Sequence, residues 1–304
     1  MLILVVILYA LFGLSFTLGK LMLAHAAPFF IIGARMIVGG VCLLGYSYFH
    51  KDIDCMPKRE NFWLHIQTII FGIYLFYSLR SWGLQYVTTT KAALLCNLMP
   101  FFTATFAFFH FKERFTAHHI IGLIIGFVGT IPLLFSDSPY EMLAGGIGRI
   151  SWPECAILIA VAALSYNIIS MQKLVKHRQC SPALANGVCM LFGGLMALGT
   201  SLVLEPVWIR PEGSVQTLLM QMGAQIIISN LICSNLHATL LRHYSATFMS
   251  FASFLSPLCT IIYGYLWLDE KTSINFFASF FLVITGLFIY HFSDLKKSRN
   301  VTIS

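Results

Sequence analysis

Residues 79–102 read LRSWGLQYVTTTKAALLCNLMPFF, and 157 positions later residues 236–259 read LHATLLRHYSATFMSFASFLSPLC. Leu79 falls on Leu236, Leu84 on Leu241, Thr90 on Thr247 and Pro100 on Pro257. Beyond the quoted stretch Glu113 falls on Glu270 and Gly129 on Gly286. Self-similarity at a fixed offset marks a duplicated unit. A second register, offset by 150, lays Leu14-Ser15-Phe16 on Leu164-Ser165-Tyr166 nearer the start of each copy.

The solvent for this unit is lipid. Of 304 residues, 58% are hydrophobic and only 10% charged, against about 25% charged in soluble domains. Crossing about 30 Å of hydrocarbon takes roughly 20 apolar residues in a helix. Spans are predicted near 2–22, 28–49, 62–85, 88–110, 116–136, 152–174, 182–203, 214–238, 243–268 and 272–292. Five spans per copy is an odd number, so the second copy enters the membrane upside down. The expected fold is therefore an all-α integral membrane protein, ten transmembrane helices arranged as two inverted five-helix repeats. Residues 1–140 form the first repeat, 141–151 a Gly-containing linker, 152–293 the second repeat and 294–304 a basic cytoplasmic tail. Ala24-His25-Ala26 has the look of a cleavage site, but no basic segment precedes the first span and another span follows it, so that helix is read as retained.

Lysine and arginine concentrate on one side. With the N-terminus inside, the inner connections hold Lys51, Lys58, Arg59, Lys112, Arg114, Lys173, Lys176, Arg178 and Arg242, and the tail adds Lys296, Lys297 and Arg299. The positive-inside bias puts both termini in the cytoplasm. Topology thus accounts for most of the net charge of +7 without a nucleic-acid partner, and a basic inner face favours the lipid bilayer's anionic headgroups. The eight cysteines are scattered with no C-x-x-C pair; no metal site or cofactor is expected. LAGGIGRI (residues 143–150) lacks the strand before and the Gly-Lys-Ser/Thr after that a phosphate loop needs, and is read as a flexible linker. Gly122-x-x-x-Gly126 permits close helix contact inside the bundle rather than a dimer, consistent with a monomer or weak dimer.

Arg35, Arg80 and Lys91 fall within spans whose centres hold no aspartate or glutamate. A central Lys or Arg costs about 2.5–3.5 kcal/mol on insertion scales, so such a group faces a cavity, a partner or the headgroups by snorkelling. No acidic partner is expected from the protein, which leaves a substrate carboxylate, helix carbonyls or water. Arg35 is read as structural, tying helices through backbone carbonyls. Arg80 falls on His237 in the repeat, so two basic groups occupy equivalent positions, and His237 titrates in the range of a coupled proton. Lys91 falls on Phe248, and that asymmetry suits an asymmetric ligand. Thr90 and Asn97, seven apart, share a helix face; Ser15 and Tyr166 complete the expected substrate-binding set of Arg80, Lys91, Thr90, Asn97, His237, Ser15 and Tyr166. Ser151-x-x-Glu154 with Pro153 reads as a capping box at a helix start rather than a proton carrier.

The chain resembles the drug/metabolite transporter superfamily, in its ten-helix EamA-type branch, over nearly its whole length. Phe12-Gly13-Leu14-Ser15-Phe16 with Pro28 and Arg35 is similar to the family's opening helix pair. Thr89 to Pro100 followed by Lys112-Glu113-Arg114, and Ser245 to Pro257 followed by Asp269-Glu270-Lys271, resemble its repeated signature. The resemblance implies structural or gating roles for Arg35, Pro100, Pro257, Glu113 and Glu270. It also implies a secondary carrier in the bacterial inner membrane, working by alternating access on a small carboxylate-bearing solute. One branch, in intracellular bacteria, exchanges S-adenosylmethionine for its demethylated product. That exchange is the first reading, with amino-acid or general metabolite and drug efflux as the alternative. A membrane-embedded enzyme, the reading from a different class, would need a nucleophile with its base, H-E-x-x-H or paired aspartates, and the sequence has none of these. No catalytic residue is assigned.

Overall fold

The computed structural model describes residues 2–50, 61–111, 145–147, 150–210, 213–244, 246–253 and 255–268, with parts of 121–129 and 277–289. In chain order the helices are α1 (Leu2–Leu23), α2 (Pro28–Phe49), α3 (Phe62–Leu84), α4 (Thr89–Cys96) and α5 (Met99–Phe111). A short antiparallel pair follows, β1 (Gly146–Ile147) with β2 (Ile150–Ser151). Then come α6 (Trp152–His177), α7 (Pro182–Leu204), α8 (Val215–His243), α9 (Ala246–Ala252) and α10 (Leu255–Leu268). Helices α1, α2, α3, α6, α7 and α8 are each long and apolar enough to cross a membrane, since 22 residues at 1.5 Å rise reach about 33 Å. Large apolar side chains such as Val41, Phe109, Ile159 and Ile227 point outward, the pattern of a multi-span all-α membrane protein. The expected flexible linker instead contains the β1–β2 hairpin. It is entered through Gly145 at φ +71°, a conformation that costs other residues a steric clash.

The fourth span is two helices rather than the single one expected over 88–110. Pro100 has no N–H for the Cys96 carbonyl, so an unbroken helix loses a bond there; within the first turn of α5 none is needed. The chain tightens instead, with the Leu98 N–H bonding the Leu95 carbonyl at 3.1 Å. The ninth span breaks in the same way between α9 and α10, and Pro257 is the third residue of α10. Two further irregularities recur. A wide π-helical stretch occupies Thr68–Leu75 in α3 and another occupies Ile226–Cys233 in α8, at the repeat spacing to within one residue. Four departures from regular helix thus fall in pairs related by the duplication.

Packing interleaves the halves. Helix α1 lies against α10 and α6 against α5, so the first helix of each half packs on the broken fourth span of the other. The α2–α7 crossing is close because it is built on glycine: a methyl on Gly40 would lie 2.7 Å from the Leu191 nitrogen, and one on Gly194 2.9 Å from that of Ile37. Small residues let backbones approach where lipid supplies no hydrophobic drive between helices. Glu205, just past α7, joins the same two helices. Its carboxylate accepts from the Phe29 and Phe30 N–H groups at 2.8 and 2.9 Å and from Ser201 at 2.6 Å, capping an α2 N-terminus that Ala27 and Pro28 cannot cap.

A second carboxylate works twice. The Ser151–Glu154 capping box forms as its spacing predicts: Glu154 Oε2 accepts from the Ser151 N–H at 2.7 Å, and Ser151 Oγ accepts from the Glu154 N–H at 3.4 Å. The other oxygen, Oε1, lies 2.8 Å from Lys91 Nζ, with the two side chains 3% and 1% exposed. This corrects the expectation that Lys91 has no acidic partner. A cap occupies one carboxylate oxygen and leaves the other for a cation delivered by α4. Near that pair, Lys20 donates to the Val87 carbonyl.

Two stability predictions follow from these contacts. Gly40→Ala costs about 1–3 kcal/mol through overpacking and lowers the Tm of the purified protein in detergent, whereas Gly45→Ala, with nothing within 4 Å of the new methyl, does not; equal Tm values would contradict the crossing geometry. Lys91→Met strands a buried carboxylate at a cost of about 3–5 kcal/mol, and adding Glu154→Gln recovers part of the lost Tm. Simple addition of the two single-variant losses would mean that the ion pair contributes no coupling.

Candidate functional site

The paired irregularities open onto one cavity of about 130 Å³ of water-accessible space, room for on the order of ten water molecules. Both halves line it. Helix α1 contributes Tyr9, Phe12, Ser15 and Phe16, and the π stretch of α3 gives Thr68, Gly72 and Ile73, with Phe76, Tyr77 and Arg80 beyond it. Asn97 enters at the α4–α5 break and Ser253 and Ser256 at the α9–α10 break. From the second half come Asn167, Asn186, Ser229, Ser234 and His237. Gly72 makes room for the Asn167 amide: a Cβ there would lie 2.4 Å from it and push that side chain aside.

Among the expected substrate-binding residues, Arg80, Asn97, His237 and Ser15 line the cavity. Ser15 already accepts from Gln225 Nε2 at 2.8 Å, and the His237 ring stands edge-on to Phe12 with centroids 6.2 Å apart. Lys91 is not in the lining; it is held in the ion pair with Glu154. Tyr166 is also elsewhere, its ring edge-on to Phe71 at 5.0 Å and Phe106 at 5.6 Å. The Thr90 and Pro257 side chains, and Glu113 and Glu270 altogether, lie outside the described residues. Pro100 is buried at the break it causes.

Among the described lining residues there is no carboxylate, so the Arg80 charge meets aromatic faces instead. Its guanidinium carbon sits 4.3 Å from the Phe16 ring centroid, 5.6 Å from Phe76 and 5.8 Å from Tyr77, all within cation–π range. Arg35 is 1% exposed and stands 4.9 Å from the same Tyr77 ring. Among the described residues the expected tie through backbone carbonyls is not made. Its three guanidinium nitrogens have no hydrogen-bond partner among the described residues, and it is the Arg35 carbonyl that accepts, from Asn230 Nδ2 at 3.2 Å. The Tyr77 π face supplies electron density where no described carbonyl reaches the guanidinium.

Four cavity-lining groups are buried without a hydrogen-bond partner among the described residues: Arg80 Nε, Asn97 Nδ2, Asn167 Oδ1 and Ser256 Oγ. Two are donors, one is an acceptor and the hydroxyl is both. Unsatisfied buried polar groups cost about 1–3 kcal/mol each, which a polar ligand or water would relieve. The set suits a molecule carrying an anionic end, further donors and acceptors, and apolar surface for Phe12, Phe16 and Phe76. Reading the sequence alone missed Phe16, Phe76 and Asn186 as lining residues. Phe16 was visible as the aromatic neighbour of Ser15; nothing in the local sequence around Asn186 marks it.

The EamA-like transporter family model matches residues 1–135 and 151–292. A protein of Chlamydia muridarum named S-adenosylmethionine/S-adenosylhomocysteine transporter is 32% identical over 91% of this chain and 87% of its own. One of the same name from Chlamydia trachomatis serovar L2 is 33% identical over 91% and 85%. A solved crystal structure 14% identical, covering 94% of both chains, superposes with a TM-score of 0.65, a likeness of fold alone. Duplicated spans with matched helix breaks, one cavity between the halves and a family match over both copies lead to one conclusion: the chain is a membrane transporter of the EamA-like family.

Proposed function

We propose that this protein exchanges S-adenosylmethionine for S-adenosylhomocysteine across a bacterial inner membrane by alternating access, with both termini in the cytoplasm. The observation that carries the reading is the central cavity with a buried arginine and no carboxylate among its described lining residues. Each of these solutes has an amino-acid end whose carboxylate pairs with Arg80, an adenosyl end with several donors and acceptors, and a flat ring system for aromatic walls. Asn97, Asn167 and Ser256 answer the polar groups; His237 and Ser15 complete the wall. The names of relatives that cover most of both chains support the choice of solute. Residues 1–140 and 152–293 act as the two rocking units about the fixed site, and the helix breaks beside Pro100 and Pro257 let each unit bend.

Purified protein in liposomes loaded with unlabelled S-adenosylhomocysteine takes up labelled S-adenosylmethionine, and empty liposomes take up far less. Equal uptake with and without internal solute contradicts exchange, and no competition by either compound contradicts the substrate. Arg80→Gln removes a charge-assisted pair and weakens binding by about 10- to 100-fold at unchanged expression. Unaltered affinity in that variant would remove Arg80 from the site.

A further inference from the structure

Aromatic rings surround the Arg80 guanidinium. Three rings that line the cavity, Phe16, Phe76 and Tyr77, converge on one point, and Phe76 and Tyr77 meet at 65° with centroids 4.8 Å apart. The rings are 5–8% exposed, so the point they surround is largely dehydrated. Desolvated aromatic faces at several angles are what recognise quaternary ammonium groups, whose diffuse charge has no hydrogen bond to donate. A guanidinium is a poorer occupant, because it gives up hydrogen bonds that the rings do not replace. Arg80 Nε has none.

We propose that Phe16, Phe76 and Tyr77 form an onium subsite in which the Arg80 guanidinium is a resident stand-in, displaced when a substrate carrying both a carboxylate and a sulfonium binds. The substrate carboxylate draws the guanidinium out of the cage, and the sulfonium takes its position against the π faces. Charges then alternate positive, negative, positive along the cavity. A thioether substrate supplies the carboxylate but no sulfonium, so its sulfur gains nothing from the rings, and the same site tells the two members of an exchange pair apart by the charge on sulfur. The identity of that pair rests on the proposed exchange reading; the existence of the cation subsite does not.

Tetramethylammonium, a cation with no carboxylate and no adenosyl group, isolates the subsite. By calorimetry on detergent-purified protein, wild type gives no binding because Arg80 fills the cage. Arg80→Gln binds tetramethylammonium in the millimolar range, and Arg80→Gln with Phe16→Leu loses that binding. Absence of binding to a folded Arg80→Gln protein overturns the proposal. Should that variant not fold, Phe16→Leu in the otherwise unchanged chain carries the test. It weakens S-adenosylmethionine about three- to thirtyfold relative to S-adenosylhomocysteine, whereas equal weakening of both overturns the cage. If neither compound binds wild type, the exchange reading fails while the tetramethylammonium result still decides the subsite.

Discussion

Hydrocarbon offers no hydrogen bonds, so a helix can depart from regularity inside a membrane only where protein or a polar cavity receives the freed groups. The four paired irregularities of this molecule obey that constraint. The α4–α5 and α9–α10 breaks and the π stretches of α3 and α8 all contribute to the lining of one cavity. Where a break frees a carbonyl, a neighbour takes it: the Leu98 N–H donates to the Leu95 carbonyl at 3.1 Å, and Ser253 Oγ donates to the Ser250 carbonyl at 2.6 Å. The cavity and the deformed helices are therefore one structure, and duplication explains why the deformations come in pairs.

The buried cations divide into two kinds. Lys91 meets Glu154 and belongs to the scaffold, where the same carboxylate also starts α6. Arg35 and Arg80 share the Tyr77 ring and have no carboxylate partner among the described residues. Aromatic faces temper a charge without neutralising it, which leaves the cavity electropositive and short of one anion. A carrier needs such a deficit, since a site satisfied by its own side chains has no free energy left for a ligand.

Much of this was legible in the sequence, and the gaps have physical causes. Hydropathy and helix-start prolines set the ends of α1, α2 and α7 to within a residue or so, because Pro28 and Pro182 can only begin those helices. The repeat offset that lays Arg80 on His237 relates two residues that both line the cavity. The fourth and ninth spans looked continuous because hydropathy does not register a missing backbone bond. Lys91 looked unpartnered because its acid lies 63 positions away and already had an explanation as a cap. Tyr166 looked like cavity wall because periodicity gives a helical face without saying which neighbour fills it; Phe71 and Phe106 do. The cation cage needed coordinates outright, since Phe16 and Phe76 come from different helices.

The central claim is that the space between the halves, anchored by Arg80, is where the transported solute sits. A structure of the protein with its proposed demethylated substrate bound tests it most directly. The account predicts the solute in this cavity, its carboxylate within hydrogen-bonding distance of the Arg80 guanidinium and polar groups paired with Asn97, Asn167 or Ser256. Density for the solute elsewhere, or in the cavity with its carboxylate turned away from Arg80, would contradict it.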